Sequence, residues 1–231
     1  MPTDCPRWTA PIARWALWEA HAREDGSPAS PDLAFVEPMI RRRLSSLAKM
    51  SLRVAYDCAN DIPDVRFVYA SRHGELARTT AMLGDLANDE GLSPTTFSMA
   101  VLNASTGIFS ILQNNTAPST AISAMNSSFG YGLLEACLQL ADKPDQPVLL
   151  VYADEPTPAI YGQTDICDLK AHAIALLLQS GASRQISCST TSTDNMPSAE
   201  PQSRAFLRCL ADGHASWHGE GTSWAWSTRE Q

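Results

Sequence analysis

Two uninterrupted apolar runs constrain what this chain can fold into. Val148-Leu149-Leu150-Val151-Tyr152 is apolar at every position. A strand of that kind has no polar side to show to water, so it belongs in the middle of a sheet covered on both faces. Ala171 to Leu178 is a second such run, and on periodicity alone it fits helix or strand. Ahead of both lies Ser-Phe-Gly-Tyr-Gly-Leu-Leu-Glu-Ala-Cys-Leu-Gln-Leu-Ala, residues 128–141. It reads as a helix that is apolar nearly all round, and so buried on most of its sides.

The remaining segments alternate in type. Residues 37–60 are helical, with Leu44, Leu47, Ala48 and Met50 to Leu52 as a partial apolar face. Val65 to Ala70 is a strand, Thr79 to Asn88 a helix ending near Gly91, and Ser93-Pro94 a helix start. Residues 96–112 read as one helix. Gly107 sits inside it at a cost of about 1 kcal/mol relative to Ala, the mark of a place where something packs closely. Thr120 to Ala124 and Gln185 to Thr190 are short strands, and Ser203 to Ala211 is a helix. Trp224 and Trp226 share one face of a closing strand. Strands alternating with helices imply an α/β layered domain.

One domain accounts for residues 1–231, with a core at about 60–190. A Trp-rich lead-in (1–36, with Trp8, Trp15 and Trp18) packs on the body. Residues 189–203, rich in Ser, Thr and Pro, form a mobile linker, and a helix and strand follow over 203–228.

The net charge of −8 argues against nucleic acid as a partner. The one basic run, Arg41-Arg42-Arg43, reads as a solvated helix face in preference to a partner patch. The first twenty residues carry Arg7, Arg14, Pro6 and Pro11 and do not look like an export leader, and no stretch reaches the length of a membrane span. Six cysteines (5, 58, 137, 167, 188 and 209) form no C-x-x-C pair, so reduced thiols and a cytoplasmic location are expected. His214 and His218 are four apart, as metal ligands on a helix would be. Gly213 and Gly219 beside them speak against a helix, and a loop or surface role is preferred. No metal and no cofactor are expected.

Several segments fall in one order. A strand opens into Ser71-Arg72-His73-Gly74. Asn103-Ala104-Ser105-Thr106-Gly107 follows, then Pro118 leading into Ala121-Ile122-Ser123-Ala124-Met125, then the buried Gly-containing helix, the strand at 148–152 and the run at 171–178. This order resembles the N-terminal half of β-ketoacyl synthases, which have the thiolase fold. It is most similar to the small β-ketoacyl synthase N-terminal-like proteins of polyketide-type pathways, notably aryl polyene biosynthesis. Pro118-Ser119-Thr120-Ala121-Ile122 and Val151-Tyr152-Ala153-Asp154-Glu155-Pro156 are typical of that group. The resemblance implies a mixed central sheet of about five strands with helices on both faces, and it makes Ala171 to Leu178 a strand.

In that family a Cys at the N-terminus of the buried helix takes up the acyl chain. The helix dipole and free N–H groups lower its pKa. Met125 matches that position here, and a thioether cannot form a thioester. Cys137, three turns along, reads as a small buried apolar residue. The family's two histidines come from a C-terminal half, and the roughly fifty residues after Leu178 show no His-Gly-Thr or Gly-Phe-Gly-Gly pattern. The resemblance therefore implies a non-catalytic subunit that binds a ketosynthase, an acyl carrier protein or both, as a homo- or heterodimer. The alternative is a small acyltransferase or thioester hydrolase using Ser127 or Ser128, with His73 as base. Simple N-capping by either serine is the plainer reading. His73 reads as a loop residue, His172 as structural, and Asp154-Glu155-Pro156 as a turn ended by proline. With one half covering it, the helix at 128–141 needs a second cover, from a dimer partner or from the Trp-rich termini.

Overall fold

A computed structural model describes residues 6–21, 29–162 and 170–229. Cys5 and Cys167 lie outside them.

The strands in chain order are β1 (Arg7–Glu19), β2 (Arg66–Ala70), β3 (Ser119–Ile122), β4 (Val148–Asp154), β5 (His172–Leu178), β6 (Arg184–Ser192), β7 (His214–Gly219) and β8 (Thr222–Arg229). They form one sheet in the order β3-β2-β4-β5-β1-β6-β8-β7. β2 pairs parallel with β3 and β4, and the other pairings are antiparallel. The mixed α/β expectation holds, but the sheet has eight strands where about five were expected. The unexpected ones are β1 and β7, whereas β8 is the closing strand expected to carry Trp224 and Trp226.

β1 escaped notice for a physical reason. Pro11 lies inside it, and its alternation changes phase midway. Trp8, Ala10 and Ile12 face one core, whereas Ala16 and Trp18 face the other. The register shifts between Ile12 and Arg14, and a one-residue slip of this kind turns every later side chain to the opposite face. So the Trp-rich lead-in is a full sheet strand between β5 and β6. β6 in turn takes up residues 189–192 of the expected linker.

The helices are α1 (Pro38–Arg41), α2 (Ser46–Ala59), α3 (Leu76–Ala87), α4 (Pro94–Ser98), α5 (Ala104–Gln113), α6 (Ser128–Asp142) and α7 (Gln202–Asp212). The helix expected over 37–60 is two. α2 restarts at Ser45, whose Oγ accepts the Ala48 N–H at 2.9 Å. The helix expected over 96–112 also breaks. Ser98 Oγ donates back to the Thr95 carbonyl at 3.0 Å, and exposed Phe97 and Val101 give α4 no buried face to hold it to α5. Gly107 has open space beside it, so it serves no close packing.

β4 and β5 are buried at every position. Val148, Leu150, Tyr152, Ile174, Leu176 and Leu178 point to one face, under α6 and α7. Leu149, Val151, Ala153, Ala173, Ala175 and Leu177 point to the other, under α2 and α5. α6 buries Phe129, Leu133, Ala136, Cys137 and Leu140 on that first face. It is not enclosed all round, because Tyr131 (45% exposed) and Leu138 (58%) remain open. Its expected cover does come from tryptophans near the termini. Trp224 of β8 stands edge-on to Tyr131, with ring centroids 5.2 Å apart, and Trp8 of β1 packs on Trp224 at 6.1 Å.

Two contacts place α6. At its C-terminal end, buried Arg66 donates to the carbonyls of Gln139 (2.5 Å), Lys143 (2.8 Å) and Gln146, a cation where the helix dipole is negative. Midway, Gly132 lies so close to the sheet that a Cβ there would meet Ala70 Cβ at 2.8 Å and Leu150 Cδ1 at 3.1 Å. α7 is tied down by buried His172. Its Nε2 accepts from Ser203 Oγ at 2.7 Å, and its Nδ1 sits 2.9 Å from the Lys170 carbonyl, so Nδ1 carries the proton.

Two predictions follow from this packing. Gly132→Ala should destabilise the protein by about 2 kcal/mol, because the strand-borne Ala70 cannot yield and overpacking outweighs the gain in helix propensity. Chemical denaturation reads this, and an unchanged midpoint would show that α6 can shift. The second concerns His172. Burial holds its pKa below the usual 6.5, with Arg204 and Arg72 adding to the effect and the Lys170 carbonyl and Glu19 opposing it. The unfolded chain then protonates at a higher pH than the folded one, so stability is intact above about pH 6.5 and falls as the pH drops below it. Buried Glu75, with a raised pKa, titrates in the opposite sense. Comparing parent with His172→Gln isolates the imidazole, and the variant's melting temperature should fall less on acidification. Equal slopes would remove His172 as the titrating group.

Candidate functional site

β2, β3 and β4 all deliver their C-terminal ends to one rim of the sheet, where α/β folds place their sites. Three residues past Ile122, the chain turns sharply into α6. Met125 is the hinge of that turn. Its φ is +50°, a left-handed conformation that non-glycine residues adopt only when their surroundings impose it. Its side chain is 68% exposed.

Three side chains, making four hydrogen bonds, impose the turn. Ser128 Oγ donates to the Met125 carbonyl at 2.7 Å and accepts the Ala124 N–H at 2.8 Å. The Asn126 N–H donates to Glu220 Oε1 at 2.9 Å. The Gly130 N–H, in the first turn of α6, donates to Gln202 Oε1 at 2.6 Å. The last two acceptors arrive from α7 and from the β7–β8 turn. That turn is Glu220-Gly221, and both residues have positive φ, as a tight two-residue hairpin requires.

Beneath the turn lies a buried ion pair, Arg72 Nε to Asp154 Oδ2 at 3.2 Å. Tyr152 Oη donates to the same carboxylate oxygen at 3.3 Å, and Arg72 Nη1 donates to Asn126 Oδ1 at 3.3 Å. Asp154 therefore closes strand β4 and does not begin a loop turn, as its sequence context had implied. Glu155 and Pro156 beyond it are in the loop, where Glu155 accepts from Ser46 Oγ. A cavity of about 160 Å³ lies beside the turn, lined by Arg72, Asn126, Glu200, Trp217 and Glu220 among others. That is below the roughly 300–1,000 Å³ of small-molecule pockets.

The sequence-predicted residues fall as follows. Met125 is at the hinge. Ser127 and Ser128 are buried at the start of α6, but neither is a simple N-cap. Ser127 occupies the cap position with no side-chain capping bond, and the Ser128 hydroxyl is committed to backbone groups on both sides. His73 is exposed just past β2. His214 and His218 lie on strand β7 and not in a loop. Four residues of strand separate them by about 13 Å, too far to share one ion. Among the described residues no group of three or more His, Cys, Asp or Glu side chains could hold a metal, and no helix is long and apolar enough to cross a membrane. Gln202, Glu220 and Arg72 were not anticipated. Only the Glu220-Gly221 turn pair left a trace in the sequence.

Among the described residues the thiols offer no accessible nucleophile. Cys58, Cys137, Cys188 and Cys209 are all buried. Burial pushes Cys58 and Cys137 up to about 12, Cys209 to about 11 and Cys188 upward as well.

No curated protein matches this chain. Solved structures do. One chain of the ketosynthase (ApeO) in complex with its chain length factor (ApeC) from Xenorhabdus doucetiae is 28% identical, with a TM-score of 0.82. The match covers 95% of this chain and 99% of that one, so the two are nearly equal in length. The ishigamide ketosynthase/chain length factor is 14% identical at a TM-score of 0.64, over 88% of this chain and 72% of that one. A β-ketoacyl synthase from Burkholderia phymatum STM815 is 15% identical at 0.55, over 87% and 64%. The last two likenesses establish the fold alone. The family model for the β-ketoacyl synthase N-terminal domain matches residues 15–227, and the chain belongs to that family.

Proposed function

We propose that this chain is the non-catalytic, chain-length-factor type of subunit, which pairs with a catalytic ketosynthase in a polyketide-type pathway such as aryl polyene synthesis. The observation that carries the reading is the hinge at Met125. The strand, the strained turn and the buried helix are all in place, but the residue matching the family nucleophile is a thioether. The relative of nearly equal length comes from a complex that holds a ketosynthase and a chain length factor. Of these two roles, only the second needs no acyl-accepting thiolate.

Sheet geometry offers the partner a seat. β3 is an end strand with one edge paired to β2. The N–H groups of Phe67 in β2 and of Ser71 just past it donate to the carbonyls of Pro118 and Ile122, so alternation turns the Ala121 N–H to the open edge. Exposed apolar side chains sit on the elements around it: Ile111 on α5, Met125 at the hinge, and Leu138 on α6, whose Gln139 bonds Thr120 of β3. An open edge bordered by exposed apolar groups is a liability unless something covers it.

Co-expression with the full-length ketosynthase of the same source, followed by size-exclusion chromatography with light scattering, should give a one-to-one heterodimer. Ala121→Pro removes the outward donor without touching the bonds to β2 and should weaken that complex at least about tenfold. The same chain alone, incubated with acyl carrier protein thioesters, should gain no acyl mass. An adduct that Ser127→Ala or Ser128→Ala abolishes would sink the reading and establish the acyltransferase alternative, as would a chain that ignores the ketosynthase.

A further inference from the structure

β1 is flanked unequally along its length. β6 pairs with it from Arg7 to Ile12, and β5 from Ile12 to Glu19. The two neighbours lie on opposite sides. The Pro11 carbonyl accepts the Gln179 N–H on the β5 side, and the Pro6 carbonyl, five residues away, accepts the Thr190 N–H on the β6 side. Beyond the bulge the Ala20 N–H donates to the Ala171 carbonyl, so alternation gives β5 the amides of Trp18, Ala16 and Arg14 as well. Trp15, Leu17 and Glu19 therefore point their N–H groups the other way, into the lane just ahead of Arg184, where β6 begins. No described residue accepts any of those three N–H groups.

This open stretch has apolar flanks and a cation at one end. Trp15 (44% exposed) and Leu17 (38%) stand on the face opposite Ala16 and Trp18. The nearby carboxylates are committed, Glu19 to Arg204 and Asp61 to Arg14. Arg184 is exposed and forms no ion pair with a described residue. The lane thus offers amides at strand spacing along its side, an indole and a leucine beside them, and a cation at its head.

We propose that this stretch takes up the extended C-terminal tail of a protein partner as an added strand, apolar at alternate positions, with its terminal carboxylate on Arg184. Antiparallel pairing is what β1 already makes with both neighbours. A strand added that way runs in line with β6, so its C-terminal end arrives at Arg184. Charge selects this occupant. A second copy paired two-fold about Leu17 would bring His21 to that end and no anion. Ketosynthase pairing is a separate matter, since its seat on β3 is divided from β1 by β2, β4 and β5.

The probe is the peptide Lys-Thr-Val-Thr-Val-Thr-Val, labelled with fluorescein at its N-terminus and carrying a free C-terminal carboxyl, with its C-terminal amide for comparison. In the proposed register valines stand opposite Trp15 and Leu17, and the lysine opposite Glu19. Fluorescence anisotropy should show saturable binding of the free acid, with the amide at least about fivefold weaker. Arg184→Glu should raise the Kd of the acid at least about tenfold and abolish the difference between acid and amide. Leu17→Pro removes an outward N–H and leaves the bonds to β5 in place, and it should weaken both forms at least about tenfold. Arg184→Glu keeps the test decisive if Leu17→Pro folds poorly. Amide hydrogen exchange gives the position, because bound peptide should slow exchange at Trp15, Leu17 and Glu19. No binding by the parent, equal binding of acid and amide, or protection that misses these three amides would overturn the added strand. So would a dimer of the chain alone that Leu17→Pro dissociates, which would give the stretch to a second copy.

Discussion

Burial of β4 and β5 on both faces is the constraint on which the rest of this structure depends. Fourteen positions on two neighbouring strands, all of them buried, demand a helical layer above and below. α2 and α5 supply one, α6 and α7 the other. α6 must then lie close against the sheet, and Gly132 brings it into contact with Ala70 and Leu150. Once α6 is set by Gly132 midway and by Arg66 at its far end, the turn that leads into it has little freedom. Met125 is left-handed because the chain has only a few residues in which to leave β3 and enter a helix whose position is already decided.

That turn joins an exposed hinge to a helix start whose amides are partly taken up by the protein itself. A helix N-terminus presents free N–H groups that would stabilise a thiolate or an oxyanion. Here Gln202 takes the Gly130 N–H and Glu220 takes the Asn126 N–H. Ser128 spends its hydroxyl on the backbone around Met125. Two of the amide donors at this helix start are thus occupied by side chains of the protein itself. Two of those side chains come from the C-terminal segment, which also brings Trp224 over α6.

The interior strands and α6 were legible because their signals are local: an unbroken apolar run, or a Gly-containing apolar stretch of helical length. The end of β4 was less so, since Asp154 looks like a loop residue until Arg72, more than eighty positions earlier, is seen beside it. β1 was hidden by Pro11 and by an alternation that reverses phase at the bulge, so no single period describes it. The hinge residue was legible through family resemblance, but its supports were not. Gln202 and Glu220 lie far down the chain from Met125, and nothing near them marks an acceptor aimed at a distant amide.

The order of strands in the C-terminal hairpin has a bearing on how the molecule assembles. β7 precedes β8 in the chain, yet β8 is the inner strand and β7 has no sheet neighbour but β8. As the chain emerges from the ribosome, β7 has nothing to pair with until β8 has followed it and joined β6. Glu220, carried on the turn between them, cannot reach Asn126 until then. The hinge is therefore set late in folding, although α6 and the strands beneath it lie many residues upstream. A growing chain spends that interval with α6 lacking Trp224, the period in which a chaperone or an early-bound partner would have most to protect.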